Sequence, residues 1–341
     1  MLPRLALRCH GGLAPAACVA QAVAAERAGF STLWLAENPF QRGAWPALAA
    51  GAVATRRLRL GAGVFNPYTR HPTLMAMEMA AFDELSEGRA VLGIGAGIAT
   101  KLGRLRLAPD PRIAAVRDTL AIVRGLLRGD EVRYSGKVFS ADGVRLEFTP
   151  RRPDLPILMA AMGEQAQRLC AEAADGLLLS NLCPPAYTRR AVGVVREAAA
   201  RAGRAAPREV VQYVPCALRA DGAEARRLAR ATVAAMLTSY WSQQNAAPAT
   251  RAAIADYNGL GPGEFRHLMT RLGRGEPADR VLDDRLLAEY AIAGTVDECL
   301  ERCAVYAEAG VTELAVWFVG DRAVDDVARL GEALRVPASP A

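Results

Sequence analysis

Short apolar runs alternate along this chain with longer stretches whose apolar residues recur every three or four positions. Leu5–Cys9 reads as a strand and Pro15–Ala28 as an amphipathic helix closed by Gly29. The same alternation continues with strand Thr32–Leu35, helix Trp45–Thr55, strand Leu58–Val64 and helix Pro72–Ser86, closed by Glu87-Gly88. Strand Arg89–Ile94 leads into the glycine cluster Gly93, Gly95 and Gly97, then a polar stretch and helix Arg112–Arg128. The rhythm breaks over residues 130–149. There Tyr134-Ser135-Gly136 and Asp142-Gly143 separate short alternating runs, a hairpin signature. It resumes with strand Pro156–Ala161, helix Glu164–Ala174, strand Gly176–Ser180, helix Pro185–Ala202, strand Val210–Leu218 and helix Ala223–Tyr240. Residues 241–283 are less regular. Helix Thr295–Ala309, strand Glu313–Phe318 and helix Val324–Leu334 close the chain.

Repeated strand–helix units predict parallel strands joined by right-handed crossovers. Eight such units in this length predict an α/β fold, a closed (β/α)8 TIM barrel. It carries two insertions: a hairpin after the fourth helix and an irregular or helical segment between strands 7 and 8, a lid candidate. No linker-like shift in composition divides the chain, so residues 1–341 read as one domain. The alternative, an open dinucleotide-binding sheet, needs Gly-x-Gly-x-x-Gly after the first strand, and His10-Gly11-Gly12 does not supply it.

Composition narrows the function classes. Hydrophobic residues make up 52% of the 341, enough for a large core. The net charge of +6 comes almost wholly from arginine, since Lys101 and Lys137 are the two lysines. The basic residues are dispersed among acids rather than clustered with aromatics, which argues against nucleic acid and leaves room for an anionic small ligand. Seven cysteines, an odd number with no Cys-x-x-Cys, read as free buried thiols in a reducing cytoplasm, and no metal site is expected. The alanine-rich run Ala14–Ala25 is interrupted by Pro15, follows His10-Gly11-Gly12 and is too weakly hydrophobic for a signal peptide. No run reaches the length of a membrane span.

In a barrel of this kind ligands sit at the carboxyl ends of the strands. Those ends are His10, Glu37-Asn38, Gly63–Asn66, Gly95–Gly97, Ala160–Gly163, Ser180-Asn181, Tyr213–Cys216 and Trp317-Phe318. They are rich in small residues and poor in convergent acids, bases and metal ligands, which suits a large flat ligand. Backbone N–H groups at Gly95–Gly97 and Met162-Gly163 are placed to hold a phosphate. The most distinctive run is Gly61–Pro72, where a strand ends in glycines that let a ligand approach the backbone and the chain turns at Asn66-Pro67. Candidate catalytic residues are Glu37, Asn38 and His10. Arg70, His71 and Trp317 are secondary candidates.

The run Val-Phe-Asn-Pro-Tyr-Thr-Arg-His-Pro, residues 64–72, with Asp83–Gly97, Phe30–Leu35 and Glu37, Pro156–Gly163 and Gly294–Gly310, resembles the luciferase-like flavin and deazaflavin superfamily. It is most similar to the coenzyme F420-dependent branch that includes methylenetetrahydromethanopterin reductase. The resemblance implies a non-prolyl cis peptide at Gly63-Val64, in a bulge that bends the cofactor's middle ring. It implies contacts to the cofactor from Gly63, Val64, Asn66, Gly95, Ala96, Gly97, Ala160, Ala161, Met162 and Gly163. It also implies a homodimer. F420-dependent sugar-phosphate dehydrogenases carry a catalytic histidine where this chain has Asn38 and a glutamate where it has Ile98. The expected reaction is therefore hydride transfer between the reduced deazaflavin and an activated C=C or C=N bond of a small organic or natural-product substrate. An FMNH2-dependent monooxygenase and a non-catalytic cofactor-binding homologue are the alternatives.

Overall fold

The computed structural model describes residues 2–107, 110–242 and 248–335. Eleven strands and fourteen helices follow one another: β1 Arg4–His10, α1 Pro15–Ala28, β2 Thr32–Ala36, α2 Ala44–Ala54, β3 Arg59–Phe65, α3 Pro72–Leu85, β4 Ala90–Ile94, α4 Ala99–Arg104, α5 Arg112–Leu127, β5 Val132–Ser135, β6 Ser140–Val144, β7 Ile157–Ala160, α6 Glu164–Ala173, β8 Gly176–Leu179, α7 Pro185–Arg201, β9 Glu209–Leu218, α8 Gly222–Ser242, α9 Pro248–Ala255, α10 Pro262–Gly273, α11 Ala278–Val281, α12 Asp284–Tyr290, β10 Ile292–Gly294, α13 Val296–Glu308, β11 Glu313–Phe318 and α14 Ala323–Arg335. The parallel strands run in the order β11-β1-β2-β3-β4-β7-β8-β9, and β9 pairs with β11 to close the barrel. The expected (β/α)8 barrel is thus the fold. β10 adds a short ninth strand alongside Cys216–Leu218 of β9.

The barrel interior explains the glycines of β3. Ala6, Trp34, Val91, Leu158, Leu178, Val211, Tyr213 and Ala315 form one buried cluster, drawn from seven barrel strands. Trp34 is fully buried and Tyr213 nearly so. A Cβ on Gly61 would collide with the Trp34 indole, and one on Gly63 with both that ring and the Tyr213 hydroxyl oxygen. The two aromatics span the barrel because β3 presents no side chains against them. On the inner face of Gly61 and Gly63 the space is taken by the protein's own rings.

Trp34 is held from below. Its Nε1–H donates to Glu313 Oε1 at 2.8 Å, while Glu313 Oε2 accepts from Ser31 Oγ at 2.8 Å and Thr32 Oγ1 at 2.9 Å. Glu313 is fully buried, with Arg4 at 3.6 Å and Arg59 at 3.9 Å. Arg59 in turn pairs with both oxygens of Glu209, at 3.0 and 3.1 Å. A buried carboxylate is tolerable only when paired and hydrogen-bonded, and this one has both kinds of partner.

On the other side of β3 the register slips. Ala62 pairs with Leu92 and Phe65 with Ile94, so β3 carries one residue more than β4 between them, a bulge. The Gly63–Val64 peptide lies in that bulge and is cis. The extra residue sends Val64 across β4. A Cβ on Gly93 would lie 2.9 Å from Val64 Cγ1, and one on Gly95 would lie 2.8 Å from Val64 Cγ2.

The insertions take defined shapes. β5 and β6 form the antiparallel hairpin expected over residues 130–149. Asp118 of α5 pins it, accepting from the Tyr134 hydroxyl at 2.9 Å and from the N–H groups of Val138 and Phe139 at 2.7 and 3.1 Å. The segment expected to be irregular or helical is mostly helical, as α9, α10 and α11, apart from residues 243–247, which lie outside the described residues. With α8 and α12 it builds a second apolar cluster around Phe265, Leu286 and Tyr290. Helices of four to twelve residues give too few turns for a periodic signal. The same brevity hid α4 and β10. All seven cysteines are free and buried, and among the described residues no helix is long and apolar enough to cross a membrane.

Replacing Glu313 by alanine leaves the Trp34 N–H and the Thr32 hydroxyl without their buried acceptor and takes one of two carboxylates from Arg4 and Arg59. Loss of one partner from such a buried network is expected to cost about 3–5 kcal/mol, read as a lowered urea midpoint. Gly61→Ala is expected to cost about 1–3 kcal/mol by overpacking against Trp34, measured in the same way.

Candidate active site at the mouth of the barrel

The alternation of β1 fixes the centre of the mouth. Ala6 lies in the interior cluster, so Arg8 and His10, two and four residues on, point to the same side. The Arg8 guanidinium carbon lies 4.9 Å from the centre of the Tyr213 ring. Tyr213 donates from its hydroxyl to the Gly63 carbonyl at 3.3 Å, and burial pushes its pKa up, so it stays protonated. His10 accepts at Nδ1 from the Gly12 N–H at 3.1 Å and meets the Trp317 ring edge-on at 6.2 Å. Burial, and after it the Arg8 charge, holds His10 below its ordinary pKa. It is therefore neutral at pH 7, with its proton on Nε2, because Nδ1 is an acceptor. Trp317 donates from Nε1 to Asn181 Oδ1 at 3.0 Å, which fixes the ring over this wall.

Glu37 and Asn38 follow β2 directly, and both hold loops. Glu37 Oε1 pairs with Arg70 Nη1 at 2.6 Å and Oε2 accepts from the Ala44 N–H at the start of α2, at 3.2 Å. Arg70 also pairs with Glu78 at 2.6 Å and lies over the Phe65 ring. Its charge is thus neutralised within the protein. Asn38 donates from Nδ2 to Gln41 at 3.3 Å and accepts at Oδ1 from Lys101 Nζ at 3.4 Å. Burial, then Arg104, lowers the Lys101 pKa. His71 caps α3, its Nδ1 accepting from the Thr73 N–H at 3.2 Å.

The residues expected to touch a cofactor divide by what their backbone already does. Asn66 Oδ1 accepts from the N–H groups of Tyr68 and Thr69 at 3.2 and 3.1 Å, and Nδ2 donates to Thr69 Oγ1 at 2.8 Å. This side chain therefore shapes the loop. The N–H of Gly95 is bonded to the Phe65 carbonyl and that of Ala161 to the Leu178 carbonyl, at 2.9 and 3.3 Å. The N–H groups of Ala96, Gly97, Met162 and Gly163 find no protein acceptor among the described residues, and all four residues are half-buried. A half-buried donor without a partner needs water or a ligand. Val64 and Ala160, also half-buried, supply an apolar patch between these two loops. Gly97 has φ +70°, and a Cβ there would press on Leu102 and Asn66.

The 241–283 insertion reaches this mouth at two points. A Cβ on Gly163 would lie 3.1 Å from Ala249 of α9. Tyr257 packs edge-on against Tyr187, whose hydroxyl donates to the Met162 carbonyl at 2.6 Å. Trp241 instead packs on Phe265 in the second cluster, and His267 lines a separate surface hollow of about 420 Å³ on α10. Two groups went unnoticed in the sequence, Arg8 and Lys101. The strand alternation Ala6, Arg8, His10 was a usable signal for the first. No local pattern marks the second. Among the described residues no cluster of His, Cys, Asp and Glu could hold a metal ion.

A closed (β/α)8 barrel carries its sites at the carboxyl ends of its strands, and this N–H strip lies across two neighbouring ones. The profile of the family described as luciferase-like monooxygenase matches residues 2–313, and the chain belongs to that family. It is 31% identical over 299 residues to the 5,10-methylenetetrahydromethanopterin reductase of Archaeoglobus fulgidus, covering 85% of this chain and 86% of the relative. It is 29% identical over 315 residues to the F420-dependent glucose-6-phosphate dehydrogenase of Beutenbergia cavernae, covering 88% and 87%. The solved coenzyme F420-dependent tetrahydromethanopterin reductase from Methanopyrus kandleri superposes with a TM-score of 0.84 at 23% identity, over 97% of this chain and 98% of that one, a likeness of fold.

Because the fold lowers the His10 pKa, the unfolded chain binds more protons below about 6.5. This contribution is intact above that value and is lost as the pH falls through the window below it. Urea unfolding from pH 7 to pH 5 is expected to show a shallower loss of stability for His10→Gln than for the native chain.

Proposed function

We propose that this chain is a coenzyme F420-dependent oxidoreductase that carries hydride between the deazaflavin and an activated C=C or C=N bond of a small organic substrate. The observation that carries this reading is the free N–H strip of Ala96, Gly97, Met162 and Gly163 beside the apolar patch of Val64 and Ala160. The strip fits a phosphate and the patch fits the face of a flat ring. The activities of the relatives agree with it. When bound, the deazaflavin supplies the hydride.

The chain's own residues bind and orient. Gly63 and Val64 form the wall against which the ring lies, with Gly95 leaving space for Val64. His10 holds a proton at Nε2, directed to a polar atom of the substrate. Asn38 holds Lys101 at the rim, and Glu37 acts as a positioning residue through Arg70 and the start of α2. Asn66 and Ala161 shape the loops that present the strip. No pair of free carboxylates stands at the strand ends among the described residues, which favours orientation over acid–base work.

A homodimer is part of the same proposal. Leu74, Met77 and Leu85 of α3 and Val53 of α2 are large exposed apolar residues on neighbouring helices, and a second copy would cover them.

Titration with F420 and with FMN tests the reading. F420 is expected to bind more tightly, and its reduced form is expected to be oxidised by an activated double bond without O2 uptake. Tight FMN binding with substrate-dependent O2 uptake would replace the proposal with a monooxygenase. Bound F420H2 that no unsaturated acceptor oxidises would leave a cofactor-binding homologue. Gly97→Val is expected to weaken F420 by about tenfold, roughly 1.4 kcal/mol. Leu74→Glu with Met77→Glu is expected to convert a dimer to a monomer in sedimentation velocity.

A further inference from the structure

The cations carried by the strands of this barrel are treated in two ways. At the amino end, Arg4 and Arg59 face the carboxylates of Glu209 and Glu313. At the mouth, Arg8 has no ion-pair partner and no hydrogen bond among the described residues, and its Nε is buried without an acceptor. The carboxylate at the β2 tip, Glu37, is held by Arg70, and Glu313 lies at the opposite end of the strands. Among the described residues the rim adds two further cations without a carboxylate: Lys101 meets Asn38, and Arg42 donates to the carbonyls of Gly11 and Gly12. A half-buried guanidinium without a counter-charge is costly. The fold keeps it beside a neutral His10 and a protonated Tyr213, neither of which supplies the missing negative charge.

We propose that Arg8 is a substrate-recognition residue whose guanidinium receives a carboxylate of the substrate, so that this chain acts on unsaturated carboxylic acids. The inference rests on the oxidoreductase reading above and adds the substrate class. The fork of a guanidinium matches a planar carboxylate in two parallel hydrogen bonds, and Arg lying against an aromatic ring keeps that fork fixed. The Tyr213 ring plays that part here. His10 Nε2–H, two residues on along the same face of β1, provides a second donor. The carboxylate would thus lie on Arg8 over the Tyr213 ring, with the unsaturated carbon beside it facing Val64 and Ala160.

Binding to the full-length protein tests this without turnover. Acetate, crotonate and cinnamate are titrated against their amides, with and without F420. At least one acid is expected to bind about ten- to a hundredfold more tightly than its amide, as for a charge-assisted hydrogen bond. Arg8→Gln is expected to abolish that preference, and Arg8→Lys to restore part of it. The histidine resonances give a second readout, since the chain has three histidines. An acid seated on Arg8 is expected to raise the His10 titration midpoint, and Arg8→Gln is expected to raise it in the free protein and cancel the response. Equal binding of acids and amides, or an unchanged acid preference in Arg8→Gln, overturns the proposal. So does a loss in Arg8→Gln of F420 affinity alone, which would give Arg8 to the cofactor. Failure of F420 to bind the native protein overturns the oxidoreductase reading instead, and the acid–amide comparison without cofactor still decides the role of Arg8.

Discussion

The hydrogen bond from the Trp34 indole to the buried Glu313 carboxylate organises this barrel. It ties β2 to β11 across β1 and sets one large ring in the middle of the interior. Everything around that ring is adjusted to its size. Ala6 and Ala315 flank it from β1 and β11, and Gly61 and Gly63 leave β3 without side chains where it passes. In a close-packed interior, side chains added at Gly61 or Gly63 would clash with the rings. The carboxylate is affordable there because two hydroxyls, an indole N–H and two arginines surround it.

The same packing generates the site. With Trp34 and Tyr213 filling the centre, the candidate site begins above them, at Arg8, His10, Val64 and Ala160. The β3 bulge moves Val64 over the glycines of β4 and turns the strand end into an apolar wall. Beside that wall the β4 and β7 loops carry N–H groups that no protein acceptor satisfies. Charges are distributed in the same spirit. The amino end of the barrel is internally neutralised, whereas the mouth keeps cations that lack carboxylates. In barrels of this kind the amino end serves stability and the carboxyl end carries the site, and this division of charges follows the same lines.

Long, strongly patterned elements were legible in the sequence. Each of the eight barrel strands and the helices of ten or more residues that flank them were read within a few residues of their observed ends. The hairpin was legible from its Gly-containing turns. The elements that escaped were the shorter ones: α4, α9, α10, α11, α12 and β10. At the site, position was legible and employment was not. Glu37, Asn38 and Asn66 do stand at strand ends. Their partners, however, are Arg70, Lys101 and the Tyr68–Thr69 backbone, and only the folded chain brings the first two together with them. The glycines of β3 were noticed for the right property, absence of a side chain. The space they leave goes to rings from β2 and β9.

The sequence by itself determined the alternation of strand and helix, hence the barrel, and the concentration of small residues at its strand ends, because both are local patterns of period two, period 3.6 and glycine placement. Tertiary structure decided which charges are neutralised. Arg8 and Arg59 are alike as residues on inward faces of strands, yet Arg59 meets Glu209 from a strand 150 residues away and Arg8 meets an aromatic face. That difference depends on which strands become neighbours across the closed barrel, and no local pattern records it.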